Sequence, residues 1–320
     1  MDKLYSDFAY DDAFRTAETE CDDLLIPFVN YFHNESYGSS AKIIRGRNEH
    51  FIEHPDHSED KRITDSSFTI EDYGKRREYH YECESKAYDD TVLVRMFEYD
   101  AQIALDHADL GKHCLHVDIP YSGILLLRGK GDFDEADIEL STPGGTVRYP
   151  VRVRRMSELS LDDIFEKHLY LLLPFYIFNL ENELDGMDTN SDELEKFSDL
   201  YREIISRLEK ETEKGYLSLF SCSVIISLIH KIAYKMTMKR ENVQKRVGDI
   251  MGGRVLDLEV IKAHREGIVE GEARGEARGE VRGEARGREK SIARLAEHYM
   301  SQDPTLERSK ALEMAAKILG

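Results

Sequence analysis

Residues 78–86, EYHYECESK, constrain the fold of this chain more than any other stretch. Successive side chains of a β-strand face opposite sides of the sheet. Tyr79, Tyr81 and Cys83 therefore share one face, and His80, Glu82, Glu84 and Lys86 share the other. Such a strand needs an apolar layer on one side and a partner for a row of ionisable groups on the other. The preceding residues offer a neighbour for it. Residues 62–70 carry Ile63, Phe68 and Ile70 among serines and threonines, which suits a half-buried strand. The polar stretch 71–77, with Gly74 in its middle, reads as the turn between them.

A hairpin folded about Gly74 sets position 65 opposite position 83. Asp65 then comes within a residue or so of Glu82 and Glu84, on the polar face that also carries Ser67 and Thr69. Three carboxylates on neighbouring strands repel one another unless they share a positive charge. A divalent cation with oxygen ligands, Mg²⁺ above all, meets that need. Such an ion polarises a phosphoryl oxygen and generates hydroxide from water. The competing reading is a solvated polar face on an edge hairpin, with Lys86 neutralising the acids.

Asp65, the E-x-E-S-K run at 82–86 and the RMFEYD helix after it resemble the PD-(D/E)XK nuclease superfamily. More narrowly, DDAFRT at 11–16, KRITDSSF at 61–68, and YECES followed by VRMFEYDAQIAL resemble bacterial recombination-promoting nucleases, often labelled transposases. The resemblance implies a restriction-endonuclease-like α/β core of helix, mixed sheet, helix and strands, then an all-helical C-terminal region. It implies a Mg-dependent DNA endonuclease linked to recombination or mobile elements, with Asp65 and Glu82 as metal ligands. Glu84 would be a further ligand or orient water, and Lys86 would be a transition-state cation. In that family a Gln is expected where this chain has Glu84, a departure that adds charge and weakens the catalytic expectation. A second register reads Glu84-Ser85-Lys86 as a literal E-x-K, and both remain open because 82, 84 and 86 share a face. The helix after the catalytic strand lends polar side chains to such sites, which makes Arg95 a candidate phosphate contact. The alternative for Arg95 is a surface pairing with Glu98 or Asp100.

Charge bears on this. The net charge of −19 argues against broad nucleic-acid affinity, which needs clustered Lys and Arg. Local basic runs exist at 42–47, 75–77 and 148–155, each more simply read as solvated surface. Cys21, Cys83, Cys114 and Cys222 are scattered without a C-x-x-C, which fits a reducing cytoplasm and neither a zinc ribbon nor a disulfide scaffold. The N-terminus is acidic and lacks an apolar signal region. The apolar run 217–234 is interrupted by serines, a cysteine, a histidine and Lys231, and reads as a buried helix, not a membrane span.

Taken in order, residues 7–33 read as helical with a break or kink at Pro27. The nuclease resemblance implies that this first helix can offer an acid to the metal, which makes Asp11, Asp12 and Glu18 candidates, with N-terminal capping the simpler role for the aspartates. Residues 41–45 read as a short strand. His50, His54 and His57 read as part of a loop, because Pro55 breaks the helix that would align them. Residues 91–107 form a helix with an apolar stripe of Leu93, Met96, Phe97, Ala101 and Ala104. Strands follow at 115–118 and 123–127, and a hairpin about Pro143-Gly144-Gly145 joins 137–140 to 146–153. This gives a nuclease-like core over 1–155.

A helical support region covers 156–240. It has a Ser160 cap, a kink at Pro174, a linker at 185–192, and helices at 193–214 and 216–238. A tail at 241–320 contains Gly267, Gly271, Gly275, Gly279, Gly283 and Gly287. A four-residue step turns a helix by about 400°, so glycine keeps to one slowly drifting stripe. Parallel pairing through that stripe sets the Glu flank of one helix against the Arg flank of the other. The tail therefore reads as a homodimerisation element, with a flexible linker as the alternative. The function from a different class is a catalytically weak nuclease-fold protein that acts in assembly or beside nucleic acid.

Overall fold

Ten strands are present in the computed structural model among its described residues, which are 10–38, 40–45, 49–53, 59–63 and 66–251, with 310, 314, 316 and 317 near the C-terminus. Residues 1–257 form one compact unit and 258–320 another. The glycine-periodic segment, His54, His57 and Asp65 all lie outside the described residues.

The chain begins with helices α1 (Tyr10–Glu20) and α2 (Asp22–His33). The division between them falls at Cys21, whose φ of −130° and ψ of 84° are not helical. Pro27, where the sequence suggested the break, sits inside α2. Its ring removes one N–H, yet the helix continues because Leu24, Leu25, Phe28, Val29 and Phe32 bury a continuous stripe. Asn34, at φ 55°, closes the helix in the left-handed region, with its N–H on the Asn30 carbonyl.

Six strands make the main sheet: β1 (Lys42–Arg45), β4 (Ser66–Asp72), β5 (Lys75–Glu84), β8 (Tyr121–Leu126), β10 (Gly145–Arg155) and β9 (Glu135–Thr142), in that spatial order. β5, β8 and β10 run parallel, and β1, β4 and β9 complete the sheet antiparallel. The fold is thus mixed α/β. Helix α3 (Thr91–Asp106) connects β5 to its parallel neighbour β8, as a parallel pair requires. Two small hairpins stand apart: β2 (Glu49–Glu53) with β3 (Glu59–Ile63), and β6 (Asp109–Gly111) with β7 (Cys114–His116). His50 belongs to β2, where the sequence suggested loop. The strand expected over 62–70 is likewise two pieces, β3 and β4.

β5 is covered on both faces. Tyr81 meets Phe28 and Phe32 of α2 at ring distances of 4.9 and 5.1 Å. Gly123 of β8, paired with Tyr81, makes this approach possible: a Cβ there would lie 2.6 Å from Phe32. On the opposite face Val92 and Met96 of α3 pack on Ile124, Leu126, Val151 and Val153. The buried face of α3 is Val92, Met96, Tyr99, Asp100, Ile103 and Ala104. It is rotated from the expected stripe, so Leu93 and Phe97 are only half-buried and a carboxylate lies inward.

Beyond β10, Ser160 and Asp163 form a reciprocal capping box at α4 (Leu161–Glu166). His168, at φ 55°, turns the chain out of that helix. A run of 3₁₀ turns (Tyr170–Glu183) then passes through the core with Leu171, Leu172, Leu173 and Phe175 buried around Pro174. The expected linker is helix α5 (Leu184–Thr189), anchored by buried Leu184 and Met187. Helices α6 (Ser191–Glu213), α7 (Leu219–Met236) and α8 (Glu241–Met251) complete the described part of this unit. Among the described helices α7 alone is long and apolar enough to cross a membrane, and 61% of that window is buried within the fold. Arg128, just after β8, ties the sheet to the 3₁₀ run through Glu181 at 2.6 and 2.7 Å and lies 4.6 Å over the Phe178 ring.

Candidate active site

Strand alternation fixes the site. From the middle of β5, His80, Glu82 and Glu84 point to the α3 side of the sheet, opposite Tyr79, Tyr81 and Cys83. The row is not solvated. His80 is fully buried and the Glu82 side chain is 4% exposed, while Glu84 at the strand end is 19% exposed. Burying charge in this way is costly unless each group is paired. α3 supplies the pairing from Arg95 in its second turn and Asp100 on its inner face.

The Arg95 guanidinium bridges both acids, with Nε 3.1 Å from Glu82 Oε2 and Nη2 2.9 Å from Glu84 Oε2. Behind Glu82, His80 Nε2 lies 3.4 Å from Glu82 Oε1 and Nδ1 lies 2.7 Å from Asp100 Oδ1. Asp100 also accepts from Ser122 Oγ of β8 at 2.6 Å and from the Tyr149 hydroxyl of β10 at 3.0 Å. The Tyr99 ring stands edge-on to His80 at 5.8 Å. One connected polar network therefore runs Tyr149, Asp100, His80, Glu82, Arg95, Glu84.

The charges follow from these contacts. Burial works against protonation of His80, but its hydrogen bonds to Asp100 and Glu82 and their charges outweigh it, raising its pKa to about 9. His80 is thus an imidazolium that donates from both nitrogens. Burial, then the Asp100 charge, pushes the Tyr149 hydroxyl well up, so it remains a donor.

Of the residues singled out in the sequence, Glu82, Glu84 and Arg95 come together. Lys86 does not join them. β5 ends at Glu84, so the shared face stops there, and Lys86 sits exposed on the following bend with its backbone N–H 3.4 Å from Glu84 Oε1. Asp65 immediately precedes Ser66, whose partner across β4 and β5 is Tyr81, one residue before Glu82. Glu18 of α1 pairs with Arg45 of β1 and Asp12 with Arg15. The basic runs are largely engaged: Arg77 with Glu35, Arg148 with Glu139, Arg152 with Glu135, Arg155 with Glu158.

Ser122 and Tyr149 were not singled out, and Asp100 was named only as a surface partner for Arg95. Asp100 had a legible signal, since it lies four and eight residues after Met96 and Val92 on one helical stripe. Ser122 and Tyr149 had none, because strand pairing alone brings them to Asp100.

Among the described residues no group of three His, Cys, Asp or Glu side chains is arranged to hold a metal ion. Glu82 and Glu84 nevertheless fit a hard cation in donor chemistry, being paired carboxylates that already converge on one positive group. Comparison of the chain with family models, with curated proteins and with solved structures found no match.

Proposed function

We propose that this protein is a metal-dependent DNA endonuclease of the PD-(D/E)XK kind. The observation that carries the reading is the convergence of Glu82 and Glu84 at the end of a central strand, on one cationic group and beneath the following helix. The similarity of Asp65, YECES and VRMFEYD to the nuclease blocks supplies the reaction class.

In this reading Glu82 and Glu84, with Asp65, which precedes Ser66 in the sequence, would hold a divalent cation such as Mg²⁺. When bound, that ion supplies Lewis acidity and lowers the pKa of water for phosphodiester hydrolysis. The chain's own residues do the positioning. Asp100 fixes His80, and His80 fixes one oxygen of Glu82, while the other faces Arg95. Arg95 and the exposed Lys86 offer positive charge to a phosphate. The resemblance extends the role to recombination or mobile elements.

A second reading, a catalytically weak assembly protein, has its own support. Arg95 already occupies both acids, and Glu84 stands where the resembling family carries Gln. Supercoiled plasmid incubated with Mg²⁺ or with EDTA decides between them. The nuclease reading expects nicking only with Mg²⁺, lost in Asp65→Ala. Equal cleavage by wild type and Asp65→Ala, or none by either, rejects it.

A further inference from the structure

The network contains two cations with different freedom. His80 is fully buried and held at both ring nitrogens. Arg95 reaches Glu82 and Glu84 from the solvent side, with its own side chain 41% exposed. It bonds Oε2 of each acid, and on Glu82 this is the oxygen that His80 does not hold. Among the described residues of this network three carboxylates, Glu82, Glu84 and Asp100, face two cations, and a divalent cation in place of the guanidinium would even the count. The guanidinium end of the pair is open to solvent, so another cation can reach the acids and take its place.

We infer that Arg95 is an exchangeable counter-ion. Glu82 and Glu84 release its guanidinium when they take a divalent cation, and the released guanidinium becomes a phosphate contact. This rests on the nuclease reading and deepens it by setting an order, cation before nucleic acid. The exchange is purely ionic: one positive charge leaves the carboxylates and two arrive, with no covalent bond changed. The freed fork matches two phosphate oxygens, as a lysine ammonium does not. His80 stays in place and keeps Glu82 aimed while Arg95 moves.

The test is Mn²⁺ calorimetry on the full chain, joined to fluorescence anisotropy with a short labelled DNA duplex. Wild type, Arg95→Ala, Arg95→Lys and Glu82→Gln are compared, each checked for folding by circular dichroism. Removing the competitor should tighten Mn²⁺ binding in Arg95→Ala by up to about fivefold, the scale of one exposed ion pair. Wild type should bind the duplex several-fold more tightly with Mn²⁺ than without, and both Arg95 variants should lose that gain. Unchanged or weaker Mn²⁺ binding in Arg95→Ala overturns the exchange. If Glu82→Gln then abolishes binding, the metal site itself still stands. If wild type and Arg95→Ala both fail to bind Mn²⁺, the exchange and the nuclease reading fall together. Should Arg95→Ala misfold, Arg95→Lys decides: a Mn²⁺-dependent gain retained there contradicts the role of the fork.

Discussion

The two faces of β5 bury equally well and handle charge in opposite ways. On the α2 face, Tyr81 stacks on Phe68 and meets Phe28 and Phe32 edge-on, Tyr79 lies tilted beside Phe68, and the one histidine among them, His33, has no hydrogen-bond partner on Nε2 among the described residues. Burial first, then Arg152 and Arg154, lowers the His33 pKa to about 3, so it is held neutral. On the α3 face, Asp100 and Glu82 raise the His80 pKa to about 9 against the cost of burial, so it is held charged. Burial alone thus does not set a histidine's charge; the nearest carboxylates do. The aromatic face builds stability from apolar area and ring packing. The polar face offsets a desolvation cost with a fully paired network and gains a fixed arrangement of charge. Only the second is suited to chemistry.

The largest expected stability effect lies on the aromatic face. Tyr81→Ala removes a fully buried ring from between α2 and the sheet and should destabilise by roughly 3–5 kcal/mol in urea unfolding. A loss under 1 kcal/mol would mean that α2 does not depend on that face.

Breaking the polar face should cost nearly as much, for a different reason. Asp100→Ala strands His80, Ser122 and Tyr149 without their common acceptor, a loss of about 3 kcal/mol by the cost of a broken buried pair. Asp100→Asn should recover part of it, because an amide oxygen still accepts from Ser122 or Tyr149. Equal stability of Asp100→Ala and wild type would remove the network from the account.

The two histidines predict opposite limbs of a stability–pH profile. The His80 pKa is raised on folding, so its contribution is complete below about 6.5 and is lost as pH rises through about 9. The His33 pKa is lowered, so its contribution is complete above about 6.5 and is lost as pH falls toward about 3. Chemical unfolding across pH should show His80→Gln flattening the alkaline limb and His33→Phe flattening part of the acid limb. Swapped effects would invert the comparison.

Much of this was legible in the residues. The alternation of 79–84, the turn at Gly74 and the Pro143-Gly144-Gly145 hairpin are local signals, and the structure follows them. The expected place of Asp65 rested on a register centred on Gly74. The observed pairing of Asp72 with Lys75 centres the turn between Tyr73 and Gly74, a shift of one residue in the partner strand. The face of α3 was misjudged because Leu93 and Phe97 outweigh Asp100 in apolarity, whereas the sheet supplies hydrogen bonds that make an inward carboxylate tolerable. The helix at 184–189 and the 3₁₀ run around Pro174 depend on packing among distant segments, which no local pattern reports.

The smallest expected effect is Glu84→Gln. Glu84 is partly exposed and shares Arg95 with Glu82, so stability should change by less than about 1 kcal/mol. In the nuclease reading plasmid-nicking activity holds or rises, since Gln is what the resembling family carries there. A variant that loses activity while binding DNA normally would make Glu84 an obligatory acid.

Mg²⁺-dependent plasmid nicking by Glu82→Gln and Tyr81→Phe, measured side by side, tests most directly whether function resides on the α3 face. Both changes nearly conserve volume at adjacent, oppositely directed positions of one strand. Glu82→Gln should stay folded and lose at least ~10²-fold in rate, the scale of removing one group that stabilises a transition state, while Tyr81→Phe should cleave as wild type does. Equal activity of Glu82→Gln and wild type, or equal losses in the two variants, would contradict the account.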